Sequence, residues 1–177
     1  MAISDRLKTF LTEKKVTFKS HKHPVAYTAQ EIAAALHVSG RQLAKCVVVK
    51  TDKGLRLVVL PAVQLVDLKK LKTLLRAKTL TLAREPDIKQ QFPDVEVGAM
   101  SVFGNLYDIP VVVDKSMTSA EEIVCNAGSH TETIALRYRD FEKLVKPRVG
   151  AFGLSVAGAA KRKGKGKKKA KAKRRPR

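Results

Sequence analysis

A chain of 177 residues with 44% apolar content has room for one compact domain with its own core. Its net charge of +20 points to a polyanionic partner. No stretch approaches the roughly 18 to 20 unbroken apolar residues of a membrane span. The N-terminal "MAISDRLKTFLTEKK" also lacks the apolar centre of a signal peptide, so a cytoplasmic protein with no membrane partner is expected.

In chain order, Ser4 is placed to cap a first helix with Leu7, Phe10 and Leu11 on its apolar face. "VTFKSHKHPVAYT" reads as extended, and Pro24 argues against a central strand there. Thr28 and Glu31 have capping-box spacing and open the alanine-rich helix "AQEIAAALH", which Gly40 is expected to help terminate. A hairpin follows from Leu43 to Leu60, turning at Asp52-Lys53-Gly54. Asp67 caps "LKKLKTLLRA", whose Leu68, Leu71, Leu74 and Leu75 make one face. "TLTLA" is a short strand, and "EPDIKQQF" a short helix with Pro86 in its first turn.

The second half is more strand-like. "VEVGAMSVFGN" holds two glycines around a small-residue turn; "IPVVVD", "EEIVCNAG" and "TETIALRY" are strands; "YRDFEKLV" is a closing helix. The sum is an α+β single domain with a mixed sheet of five to seven strands flanked by helices. The expected organisation is a domain over 1–150, a linker over 151–160 and a Lys/Arg-rich disordered tail over 161–177.

The tail, "KRKGKGKKKAKAKRRPR", holds 12 of the 36 basic side chains and no acid. The rest of the chain is left with 24 basic and 16 acidic side chains, a net of +8. So polar and self-repelling a segment buries too little to fold alone, and it binds polyanions through counterion release. Lys161, Arg162, Lys163, Lys167, Lys168, Lys169, Arg174 and Arg175 are accordingly the candidate RNA-backbone contacts. A membrane-surface anchor and a solubilising tail are the competing readings of the same charge.

The chemistry of the folded part is narrowed by what is missing. Cys46 and Cys125 each lie in an apolar run and read as buried free thiols. There is no Cys-x-x-Cys, no His-Glu-x-x-His, no Gly-x-Ser-x-Gly, no P-loop and no dinucleotide fingerprint. No metal or other cofactor is expected. Electrostatic positioning of a substrate and water needs only backbone donors, a cation and a shaped pocket. Three stretches offer those parts: Lys45 at the start of an apolar strand, "GAMSVFGN" with Gly98 and Gly104, and "NAGSH" from Asn126 to His130. Each also has a plain structural reading. On the residues alone Lys45 reads first as a solvated strand-end lysine, the glycines as turn formers, and His130 as a surface turn histidine.

Taken together, "HPVAYTAQEIAAALHVSGRQLAKCVVVK", "LPAVQLVDLKKL", "FPDVEVGAMSVFGNLYDIPVVVD" and "EIVCNAGSHTETIALRYRDFEKLV" resemble the YbaK/prolyl-tRNA-synthetase-associated editing-domain family. The resemblance runs from about Asp5 to Val149 and rests on the joint spacing of the four segments. It implies a partly barrel-like sheet and a trans-editing hydrolase that cleaves the ester of mischarged aminoacyl-tRNA without a covalent nucleophile. The implied partners are that tRNA and a synthetase, and a monomer is expected. The family's key active-site lysine falls on Lys45. Its Gly-x-x-x-Pro substrate loop falls on Gly98, Ala99, Met100, Ser101 and Val102, with valine in place of proline. Asn126, Gly128, Ser129 and His130 correspond to a region lining the same pocket. A catalytically idle RNA-binding module with this fold is the alternative, and a DNA-compacting protein is a third reading that rests on the tail alone.

Overall fold

The computed structural model describes residues 3–155, and the tail residues expected to contact RNA lie outside them. Helix α1, Asp5–Glu13, begins where Ser4 Oγ accepts from the Leu7 amide at 3.3 Å, and it buries Leu7 and Leu11. Strand β1, Phe18–Lys22, is followed by α2, Ala29–Ala35, with both halves of the Thr28–Glu31 capping box formed. The helix ends at Ala35 without Gly40. His37 takes the left-handed conformation, while Gly40 permits a close approach in which an added Cβ would stand 2.7 Å from Val63 Cγ1.

The hairpin consists of β2, Ala44–Thr51, and β3, Gly54–Pro61, in a register that pairs Lys45 with Leu60 and Thr51 with Gly54. Then come β4, Gln64–Val66; α3, Leu68–Leu75, capped by Asp67; β5, Leu80–Leu82; and α4, Glu85–Gln91. After an irregular loop and a 3₁₀ turn at Gly104–Tyr107 run β6, Val111–Asp114, and the antiparallel pair β7, Glu122–Ser129, and β8, Glu132–Arg137. Helix α5, Tyr138–Val145, precedes β9, Arg148–Gly150, and β10, Gly153–Ser155.

The strands form three sheets in place of the single sheet of five to seven expected. A mixed sheet has the order β5-β2-β3-β6-β9, a second β1-β8-β7, and a two-stranded ribbon joins β10 to β4. The extra strands are short, three residues each in β4, β9 and β10. Such segments carry too little period-2 pattern to announce themselves. Nor does the fold stop at residue 150. Phe152 is fully buried, and residues 153–155, expected as linker, pair with β4.

Strand β3 explains the layering. Leu57 and Val59 enter a core shared with α1, α5, β7 and β8, while Val58 and Leu60 enter a second core under α3 with Phe152. Both faces are covered, so the strand is apolar at nearly every position. A third, smaller core sits beneath α2, where Ile32 meets Ala26, Leu43, Ala62, Val124 and Ala135. A bridge between Leu43 and Val124 carries the β7 edge to the start of β2. It brings the two larger sheets together beside Lys45.

Candidate active site

Lys45 lies at the first turn of pleat in β2, where the apolar cover of the strand runs out. Ala44, Cys46 and Val48 turn toward the main core, and Lys45 is half-buried with Nζ donating to the Ala62 carbonyl at 3.2 Å. Burial disfavours its charged form and lowers its pKa from the ordinary lysine value. The side chain enters a cavity of about 160 Å³ whose wall also includes Tyr27, Ala29, Ile32, Leu43, Ala44, Cys46, Gly98 and Asn126.

Four separate chain segments are therefore convened: the start of α2, the start of the hairpin, the glycine loop and β7. Gly98 has φ +93°, a conformation that favours glycine, and a Cβ there would stand 3.4 Å from His130 Cε1. Its carbonyl accepts from Asn126 Nδ2 at 3.2 Å, and its amide donates to the Sδ of the buried Met100, a weak acceptor, at 3.3 Å. Asn126 Oδ1 is buried and accepts no hydrogen bond among the described residues. The loop is laced to the irregular end of β7. Glu96 N–H donates to the Gly128 carbonyl at 2.9 Å, Gly128 N–H to that of Ala99 at 3.1 Å, and His130 N–H to Glu96 Oε2 at 2.8 Å.

The "NAGSH" segment is not a simple turn. Asn126 to Ser129 belong to β7, with a register shift between Asn126 and Ser129, and the hairpin reverses after it. A bulge of this kind re-aims side chains at a strand end. The His130 ring nitrogens lie 3.0 Å from the Val97 carbonyl oxygen and 3.3 Å from that of Ala26. In either neutral tautomer the one ring N–H donates to one of these carbonyls, and the ring, held between the two, props the loop.

Of the residues singled out in the sequence, Lys45, Gly98 and Asn126 meet in the cavity, and His130 braces it. Ala99, Met100 and Val102 put their side chains into the core, and Ser101 is also buried. Gly104 begins the 3₁₀ turn beneath Leu57 and Val111, Gly128 packs on Ser4, and Ser129 is buried in β7. Tyr27, Ala29, Ile32, Leu43, Ala44 and Cys46 were not expected at the site. Only the nearness of Leu43, Ala44 and Cys46 to Lys45, and of the others to the capping box, hinted at them.

Cys46 warrants a chemical test as a nucleophile. Burial, and secondarily the nearby Cys125, push its thiol well above the ordinary cysteine range, and Sγ donates to the Ser101 carbonyl at 3.4 Å. Burial likewise raises Cys125 to about 12. Neither is a thiolate at neutral pH, and thiolate is the nucleophilic form. No three His, Cys, Asp or Glu side chains among the described residues are placed to hold a metal ion. None of the described helices is long and apolar enough to cross a membrane.

A larger cavity, about 550 Å³, lies at the other end of the β7–β8 hairpin. Its charged lining is balanced, Arg137 and Arg139 against Glu121 and Glu142, and Arg137 is already paired with Asp140 at 2.9 Å. Size does not make it the better site, because it gathers no desolvated cation.

A profile of the aminoacyl-tRNA editing domain matches residues 23–144. The chain belongs to that family. The editing domain is 29% identical over 148 residues to the prolyl-tRNA editing protein ProX of Acetoanaerobium sticklandii, across 80% of this chain and 90% of that one. Its fold matches the crystal structure of hypothetical protein APE2540 with a TM-score of 0.77 at 19% identity, covering 85% of this chain and 100% of the other. A candidate trans-editing enzyme for prolyl tRNA synthetase matches with a TM-score of 0.74 at 18% identity, over 87% and 100% of the two chains. At such identities the structural likeness is one of fold.

Proposed function

We propose that this editing domain is a trans-acting deacylase that hydrolyses the ester of a mischarged aminoacyl-tRNA at the Lys45 cavity. The observation that carries the reading is the convergence of a partly desolvated lysine, Lys45, with Gly98 and Asn126 on one small cavity. Family membership and the likeness to ProX support the substrate class.

An aminoacyl ester is already activated, so water attack needs a held carbonyl and stabilisation of the oxyanion that forms. Lys45 Nζ is the donor suited to that charge. The tetrahedral intermediate collapses by breaking the bond to the ribose oxygen, which takes up a proton. The products are free amino acid and tRNA with a free terminal hydroxyl. The raised pKa of Cys46 argues for direct attack by water over an acyl-enzyme.

The wall formed by Ala29, Ile32 and the start of β2 leaves about 160 Å³, suited to a small side chain such as that of Ala, Ser, Thr or Cys. Exclusion of larger residues is steric, whereas one methylene among the small ones is worth only about 10- to 200-fold. A synthetase that releases the mischarged tRNA is the natural partner of such an activity.

The test is deacylation of tRNAs charged with Ala, Ser, Thr, Cys and Pro by the protein and by Lys45→Ala. One ester should be cleaved preferentially, with a loss of about 100-fold or more in the variant. Binding of tRNA with no ester cleaved by either protein would replace this reading with that of an idle RNA-binding module.

A further inference from the structure

The rim of the Lys45 cavity carries an aromatic ring that the chemistry just described does not use. Tyr27 lines that cavity yet is 73% exposed, and Val25 beside it is 59% exposed, with Ala26 buried between them. An exposed ring in a folded domain is usually mobile, but this one is held. Its backbone N–H donates to Glu31 Oε2 at 2.9 Å, and the Ala26 N–H donates to the His130 carbonyl at 3.0 Å. The ring itself rests against the His130 imidazole, centroids 4.8 Å apart. That imidazole is in turn placed by the Val97 and Ala26 carbonyls. One side of the tyrosine is buttressed and the ring remains largely open to solvent.

We propose that Tyr27 is the stacking platform for the terminal base of the acylated RNA 3′ end, with His130 as its positioning residue. The proposal rests on the deacylase reading of the cavity and extends it to the nucleoside. If the ester carbonyl sits between Lys45 and Gly98, the ribose that bears it must lie at the cavity mouth. The base on that ribose then emerges at the rim, where Tyr27 stands. Every base has a π face, so stacking holds a 3′ end without reading its sequence. A terminal adenine is common to all tRNAs, and a platform of this kind would serve any of them. It also accounts for an ordered, outward-facing aromatic in a chain with only 5% aromatic residues.

The experiment uses uncharged tRNA whose terminal adenosine is replaced by 2-aminopurine, titrated with the full chain while its fluorescence is followed. The chain has no tryptophan to interfere. Wild type and Tyr27→Trp should quench the probe. Tyr27→Ala and Tyr27→Leu should lose the quench and weaken 3′-end binding by about 5- to 150-fold. The leucine variant keeps apolar bulk without a π face, so it separates stacking from simple burial. With a charged substrate, KM should rise in both variants while kcat stays within about threefold. Quenching that survives in the alanine and leucine variants, or wild-type binding without quenching, overturns the proposal. Because the probe is not hydrolysed, Tyr27-dependent quenching with no ester cleaved would sustain the base platform and remove only the catalytic reading.

Discussion

Lys45 shows at the scale of one residue how a site is held against the preferences of folding. Its ammonium is half-buried in a cavity with an apolar wall, and burial lowers its pKa. A lysine whose pKa is lower folded than unfolded takes up a proton on unfolding in the pH window between the two values. Stability therefore rises with pH across that window, and the full burial penalty is in force at neutral pH. Replacing the charge should remove the penalty along with the activity. We expect Lys45→Met to lose hydrolysis while melting within about 3 °C of wild type, or above it, at pH 7. Any advantage of the variant should shrink toward pH 10. Thermal denaturation of both proteins at the two pH values checks this, and a variant that melts far below wild type at pH 7 would make Lys45 a structural residue.

Among the elements, the clasp that completes the fold is Asp114, at the end of β6. Its carboxylate accepts from the Ser116 amide at 2.9 Å, the Ser116 hydroxyl at 2.6 Å, the Phe152 amide at 2.8 Å and the amide of Gly153. Burial works to raise its pKa, but these hydrogen bonds outweigh it and hold the group below the ordinary aspartate range. Its contribution is thus present above the unfolded pKa near about 4 and is lost as pH falls through the folded value. Asp114→Asn should cost about 1–3 kcal/mol at pH 7 and flatten the loss of stability below about pH 4. Urea titrations at pH 7 and pH 3 measure both. Long-range placement also explains why β9 and β10 escaped sequence reading. β9 is placed by its parallel pairing with β6 and the start of β10 by a carboxylate some 38 residues earlier in the chain, whereas the Thr28–Glu31 capping box and the Asp67 cap are complete within a few residues and were legible.

Across the whole molecule, charge is distributed so that the editing domain carries a moderate positive excess and residues 161–177 a dense one. We expect removal of 161–177 to raise KM for charged tRNA at low salt while leaving kcat unchanged, with the gap closing as salt rises. Steady-state kinetics at several salt concentrations test this. An equal loss at saturating tRNA would assign the tail a different role.

What the sequence by itself determined was the local grammar: helix caps, the hairpin with Lys45 at its head, the main strands, and the mixed α/β class. Each of these follows from residues within one turn or one pleat of each other. The four-segment resemblance added the family, to which residues 23–144 indeed match. What only the tertiary structure decided was membership of the site. Gly98 and Asn126 are joined by a hydrogen bond across 28 positions, and Tyr27 reaches His130 across about a hundred. The glycine loop looked like one functional unit, yet it divides. Gly98 faces the cavity, while Ala99, Met100 and Val102 fill the core. Composition does not distinguish a small apolar residue that lines a pocket from one that packs behind it, because both avoid water for the same reason. The distinction arises when β7 is bridged to the start of β2 and α2 closes over the junction, since only then does one side of each residue become empty space.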